Sequence, residues 1–195
     1  MIECSPSLED VKDFCKNLNI ELSPESNNQL VSIFKKFKVE RNEQILKPGH
    51  VCHYIYYVLS GCVREYYYKG DKDISKFFAF EGNRSFFAES FINQSRSKVG
   101  SMALEPTILL GLSHDGLLES CKSNQEIEWL YRTCLERALL TAQKKSFLFQ
   151  FGNAYERYNN LLKEKPEVIK RISSNYISSY LNVTPETLSR IKSKR

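Results

Sequence analysis

The chain has 195 residues, 42% of them hydrophobic, with 28 Lys/Arg against 23 Asp/Glu and a formal net charge of +5. That length accommodates one larger core with a small appendage better than two equal domains. No apolar run approaches the ~20 residues of a membrane span, and the opening MIECSPSLED is acidic where a secretory signal is basic and then greasy. A cytoplasmic protein without a membrane partner is therefore expected.

A short helical region ending near Phe37 gives way to aromatic and β-branched runs broken by glycine. Strands are predicted around Tyr54–Leu59, Cys62–Tyr68, Ser75–Phe80, Lys98–Leu104 and Ile108–Ser113, with turns at Ser60-Gly61 and Lys69-Gly70-Asp71. Pro48-Gly49, Gly82-Asn83 and Glu105-Pro106 add punctuation, and strands so short and so evenly spaced suggest a closed antiparallel β-roll. Tyr66, Tyr67, Tyr68, Phe77, Phe78, Phe80, Phe86 and Phe87 are candidates to line an apolar cavity, although aromatic strands more often simply build core. The cysteines, Cys4, Cys15, Cys52, Cys62, Cys121 and Cys134, include no C-x-x-C pair, and only Cys52 has a histidine beside it, His53. They read as reduced small hydrophobes, and no metal site is expected.

From Asn124 to about Phe151 the period becomes helical and carries two apolar stripes. Ile127, Tyr131, Cys134, Ala138, Thr141 and Leu148 form the first, interrupted by Lys145; Leu135, Leu139, Ala142 and Phe149 form the second. One stripe can lie on the roll while the other meets a twin helix, and the first is the candidate dimer seam. Residues 152–154 read as a hinge. A further helix ends before Pro166, and its Tyr155, Tyr158, Leu161 and Leu162 are placed to support the C-terminal helices from behind.

The last two dozen residues have the spacing of a helix-turn-helix. Ile177, Leu181, Val183, Leu188 and Ile191 fall where two crossing helices would share a miniature core, Ser178 is small at their closest approach, and Asn182 tolerates a left-handed turn. Thr184 can cap the second helix and Pro185 suits its first position. Glu186, Thr187, Ser189, Arg190, Ser193 and Lys194 are then left outward. Arg190 can donate two hydrogen bonds to guanine O6 and N7, and Glu186 can accept from cytosine N4. Lys192, Lys194 and Arg195 are expected on phosphates. Residues 1–162 are formally neutral, so residues 163–195, with 8 Lys/Arg and 3 Asp/Glu, supply the whole excess of positive charge. Such clustering is the footprint of a partner of opposite charge, here double-stranded DNA.

The order of these elements resembles the family of the cyclic-AMP receptor protein and the fumarate–nitrate reduction regulator (Crp/Fnr), in the style of its Bacteroidetes members. The resemblance rests on Pro48-Gly49, YYVLSGCV, FFAFEGN, FFAES, AYERY and YISSYLNVTPETLSRIK. It implies an α+β chain with a cyclic-nucleotide-binding-type sensor (residues 1–123), a dimerisation helix (124–151) and a helix-turn-helix domain (152–195). It further implies a homodimeric transcription regulator, not an enzyme, that reads successive major grooves about 34 Å apart, with RNA polymerase as a further partner. The positions matching the family's base-reading residues are Pro185, Glu186 and Arg190.

Two departures bear on that expectation. The family's ribose-binding Gly-Glu pair is Ala88-Glu89 here, followed by Ser90, and its phosphate-binding Arg-Ser or Arg-Thr pair aligns with Ser97-Lys98. Without the arginine fork, cyclic AMP is not the expected effector; another small molecule, or none, is. No residues follow Arg195 to form the wing that relatives carry after the recognition helix, so a helix-turn-helix without a full wing is expected. Two rival readings are a ligand-binding or interaction module with a degenerate DNA-binding domain, and a metal-dependent cupin. The second is disfavoured because His50 and His53 are three apart, on opposite sides of a strand, and His114 is isolated.

Overall fold

A computed structural model describes residues 1–193. Two helices open the fold. Helix α1 (Leu8–Asn17) starts at a reciprocal capping box between Ser7 and Asp10, and α2 (Pro24–Ile33) starts at Ser23, whose hydroxyl accepts from Ser26 N–H. The helical region ends at Ile33, not near Phe37. Phe34–Val39 is strand β2, paired along its whole length with Thr107–Ser113 (β9). Phe34 and Phe37 are both buried, a three-residue spacing that mimics a helical face.

The remaining strands are β1 (Ile2–Cys4), β3 (Gln44–Leu46), β4 (Tyr54–Ser60), β5 (Val63–Lys69), β6 (Lys72–Ala79), β7 (Arg84–Ser85) and β8 (Gly100–Ala103). They form two antiparallel sheets, in the orders β1-β2-β9-β4-β7 and β3-β8-β5-β6. Gly61 joins β4 to β5 at φ +100°. A Cβ there would come within 2.4 Å of the Thr107 hydroxyl and 2.7 Å of the Pro106 carbonyl, so both the conformation and the contact demand glycine. Val58, Val63, Ala79, Ala103 and Leu109 fill the space between the sheets.

Two helices the sequence did not announce, α3 (Ala88–Asn93) and α4 (His114–Ser123), precede the long helix α5 (Gln125–Phe151). Asn124 caps α5 by accepting from the N–H groups of Glu126 and Ile127, and its amide bonds Ser26 and Gln29 of α2. Ile127, Leu130 and Cys134 are buried with Phe14, Leu30, Leu117 and Tyr57, and Tyr131 packs on the same cluster. This corrects the candidate dimer seam. The first half of the stripe that begins with Ile127, Tyr131 and Cys134 is used within the chain; Ala138 and Leu148 are half-buried and Thr141 is exposed. The unpartnered face lies elsewhere on the helix, at Trp129, Leu139, Leu140, Phe147 and Phe151, exposed by 41, 60, 55, 67 and 67%.

Gly152 ends α5. A second capping box, Asn153 with Glu156, starts α6 (Ala154–Glu164), and α7 (Val168–Arg171), α8 (Ser174–Leu181) and α9 (Pro185–Ser193) complete the fold. Their core holds Tyr158, Leu161, Leu162, Val168, Ile177, Leu181, Leu188 and Ile191, and it is continuous with Cys62, Phe78 and Phe80 of the roll. Tyr155, expected in this support, is exposed instead. Among the described residues no helix is long and apolar enough to cross a membrane.

Candidate nucleic-acid interface and ligand cavity

The α8–α9 unit has the expected local chemistry. Asn182 sits at φ 54°, ψ 49°, and the N–H of Val183 reaches the carbonyl of Ser178 at 3.1 Å, so α8 closes in a left-handed turn. Ser178 is buried where the helices meet. Thr184 Oγ1 accepts from Thr187 N–H at 3.3 Å, which caps α9. With Leu188 and Ile191 turned inward, Thr184, Pro185, Glu186, Ser189 and Arg190 are exposed and Thr187 is half-buried. A hydrogen bond from the Thr184 hydroxyl holds the Glu186 carboxyl below its usual pKa, so it is an acceptor at neutral pH. Lys192 Nζ donates to Ser174 Oγ at 3.0 Å. Lys194, also expected on DNA, lies outside the described residues.

The inner side of this unit is tied to the rest of the chain by three arginines. Arg157 donates to the carbonyls of Gly152 (2.8 Å) and Leu181 (3.1 Å), joining the end of α5 to the end of α8. Arg171 bonds the Glu81 carboxylate with both Nη atoms, at 2.7 and 2.9 Å, and also bonds Glu105. That fork holds Glu81 down to a pKa of about 2. Arg64 of β5 is fully buried, donates to Ser75 Oγ (2.8 Å) and Asp73 Oδ2 (2.7 Å), and stacks 3.9 Å from the centre of the Tyr176 ring of α8. The Ser179 hydroxyl adds bonds to Ser75. Sequence reasoning missed all three arginines. Each partners residues remote in the chain, and none belongs to a local motif.

The residues aligned with the cyclic-nucleotide site are either exposed or bonded within the chain. Ala88 and Glu89 at the start of α3, and Lys98, are exposed. Ser90 is buried and already satisfied: its hydroxyl accepts from Cys52 N–H at 2.9 Å and donates to the Ser95 carbonyl at 2.6 Å. The Ser97 hydroxyl is likewise occupied by the carbonyl and N–H of Val99. Space opens elsewhere, as a cavity of about 1020 Å³ between the roll, α5 and the helix-turn-helix unit. Of the aromatic candidates only Phe77 and Phe86 line it; Phe78, Phe80 and Phe87 are core, and Tyr67 and Tyr68 face solvent.

All six cysteines are free, and burial pushes the thiols of Cys15 and Cys52 up to about 11 and of Cys62 to about 12, away from the reactive thiolate. His50 and His53 are exposed, and among the described residues no group of three or more His, Cys, Asp or Glu side chains is arranged to hold a metal ion.

The sandwiched sheets, the short helix α3 inserted between β7 and β8, and the long helix that follows the roll decide what the N-terminal unit is. Residues 36–124 match the cyclic nucleotide-binding domain. The matched segment runs from within β2 through the later strands, α3 and α4, and ends where α5 begins. No curated protein matches the chain significantly. Among solved structures, FixK2 from Bradyrhizobium japonicum superposes with a TM-score of 0.69 at 21% identity, over 83% of this chain and 84% of its own. The regulator CLP from Xanthomonas campestris, described as c-di-GMP responsive, superposes at 0.68 and 16% identity over 88% and 91%. The catabolite activator protein of Thermus thermophilus does so at 0.58 and 21% identity over 91% and 85%. The fold, a cyclic nucleotide-binding-type roll followed by C-terminal helices, is that of Crp/Fnr-type regulators.

Proposed function

We propose that the chain is a sequence-specific, DNA-binding transcription regulator of the Crp/Fnr type. It acts without catalysis, as a homodimer, and its cyclic nucleotide-binding-type domain responds to an effector other than cyclic AMP. The observation that carries this reading is the mounting of α9: Leu188 and Ile191 anchor it from beneath, while Glu186, Ser189 and Arg190 stand exposed on one face. A helix so presented has the chemistry to enter a major groove N-terminus first. Arg190 supplies base discrimination typically worth about 1–3 kcal/mol, and Lys192 lies one residue beyond the buried Ile191 for phosphate contact.

Dimerisation through α5 is supported by its solvent-facing apolar strip. Leu140, Phe147 and Phe151 recur at heptad-like intervals, and Phe147 and Phe151 stack on each other at 4.8 Å. A 27-residue helix runs about 40 Å, long enough for a paired helix to set the separation of two recognition helices. Cyclic AMP is disfavoured chemically: the hydroxyls of Ser90 and Ser97 are internally bonded, Glu89 and Lys98 are exposed, and no arginine occupies the family's phosphate position. The test is anisotropy titration of the full chain against duplex DNA from its own upstream region. Tight, sequence-dependent binding that Arg190→Ala weakens is the expected outcome. Equal, weak binding to any duplex would remove the reading.

A further inference from the structure

The cavity between the roll, α5 and the DNA-binding unit has an unusual wall. Its cations come from separate parts of the chain: Lys76 on β6, Arg84 on β7, Arg137, Lys144 and Lys145 on α5, and Lys165 just after α6. Only two carboxylates, Glu65 and Glu164, share the lining. Glu65 is buried, bonds the Ser85 hydroxyl at 2.8 Å and has Lys76 at 3.9 Å. Lys145 and Lys165, each mostly buried, have no carboxylate within ion-pair distance among the described residues. Lys145 Nζ bonds the Lys76 carbonyl and lies 4.6 Å from the Tyr180 ring centre; Lys165 Nζ bonds the Asn83 side chain and lies 4.5 Å from that of Phe77. Arg84 Nη1 is buried with no hydrogen-bond partner. Desolvated cations without a bonded carboxylate are costly to maintain, and Phe77, Phe86, Leu135, Ala138 and Leu148 give the wall an apolar part.

We propose that this cavity binds a small amphipathic anion, a carboxylate or phosphate head on an apolar body, with the head held by Lys145 and Lys165 beside Lys76. The site differs from the one the family alignment marks, because Ala88, Glu89, Ser90, Ser97 and Lys98 are absent from its wall. Its head-group cations belong to the roll, to α5 and to the segment entering the helix-turn-helix. A bound anion therefore bridges the sensor to the DNA-binding unit. The regulatory consequence, a ligand-biased placement of α9, rests on the function proposed above; the binding itself does not.

Burial is the main reason both lysines are held down to about 8, Lys145 with Lys76 and Lys165 opposing its charge and Glu65 favouring it, Lys165 with Glu164, Glu167 and Glu65 favouring it. An anion raises both, so binding near pH 8.5 takes up protons.

The test uses the full chain with 8-anilinonaphthalene-1-sulfonate, an aromatic anion, followed by fluorescence and by calorimetry in two buffers of different ionisation heat. The expected result is one saturable site per chain, displaced by octanoate and octyl phosphate but not by equimolar octanol, with net proton uptake at pH 8.5. Lys145→Met and Lys165→Met should each weaken it at least tenfold while the surface control Lys12→Met does not. Displacement by octanol as effective as by octanoate, or binding unchanged in both lysine variants, would overturn the proposal. So would binding without proton uptake, which needs no variant to fold. DNA titration of the same preparations separates the two readings. Anion binding with no DNA binding removes only the regulator, and DNA binding with no anion binding removes only the cavity site.

Discussion

At the scale of single residues, the inner face of the helix-turn-helix unit is held by charges that the outer face does not use. Arg64 is fully buried, and one of its guanidinium nitrogens, Nη2, finds no partner. Arg64→Leu removes the bonds to Ser75 and Asp73 and the stack on Tyr176. Because Asp73 is partly exposed and can be rehydrated, the expected loss is about 2 kcal/mol, below the range for stranding a fully buried charge, measurable as a lowered urea midpoint. The Arg171–Glu81 fork gives a pH dependence of known sign. Glu81 has its pKa lowered from 4.5 to about 2 in the folded chain, so its stabilisation is complete above pH 4.5 and is lost as pH falls toward 2. Denaturation measured across that window should show a shallower loss in Arg171→Met than in the parent chain. Both groups are partly exposed, so the difference is modest.

At the scale of elements, what could be read locally was read well. Strands β4, β5 and β6 are bounded by Gly61 and Gly70, the length of α5 follows from the helical period, and the α8–α9 turn follows from Asn182, Thr184 and Pro185. What failed depended on distant partners. Phe34–Val39 is a strand because β9 pairs with it, and α4 contains Gly116, whose missing Cβ makes room for Ile33 of α2. The side of α5 that faces inward was misread because Leu130, absent from both stripes, shares the buried face with Ile127 and Cys134. The cavity was illegible for the same reason, since Lys76, Lys145 and Lys165 converge from separate segments. The left-handed turn offers a direct check. Asn182→Gly should change stability by less than about 0.5 kcal/mol, whereas Asn182→Val should cost about 1–2 kcal/mol, both read by thermal or urea unfolding.

At the scale of the whole molecule, three surfaces divide the work: a roll whose nearest open space is cationic, an apolar α5 strip turned to solvent, and an outward α9. If α5 pairs with a second copy, Phe147→Glu or Leu140→Glu places a charge in the seam and should shift sedimentation from dimer to monomer at micromolar concentration, without unfolding the roll, because both side chains are exposed in the single chain. Dimerisation unaffected by either change would move the interface elsewhere. The central claim is that α9 reads duplex DNA through its exposed face. Its most direct test is the affinity of the parent chain and of Arg190→Ala for upstream and scrambled duplexes across a salt series. The account predicts that log affinity falls linearly with log salt at a slope near −0.9 per phosphate contacted, that the parent prefers its own sequence, and that Arg190→Ala erases about 1–3 kcal/mol of that preference. Sequence preference identical in the two proteins, or no salt-dependent binding to any duplex, would contradict it.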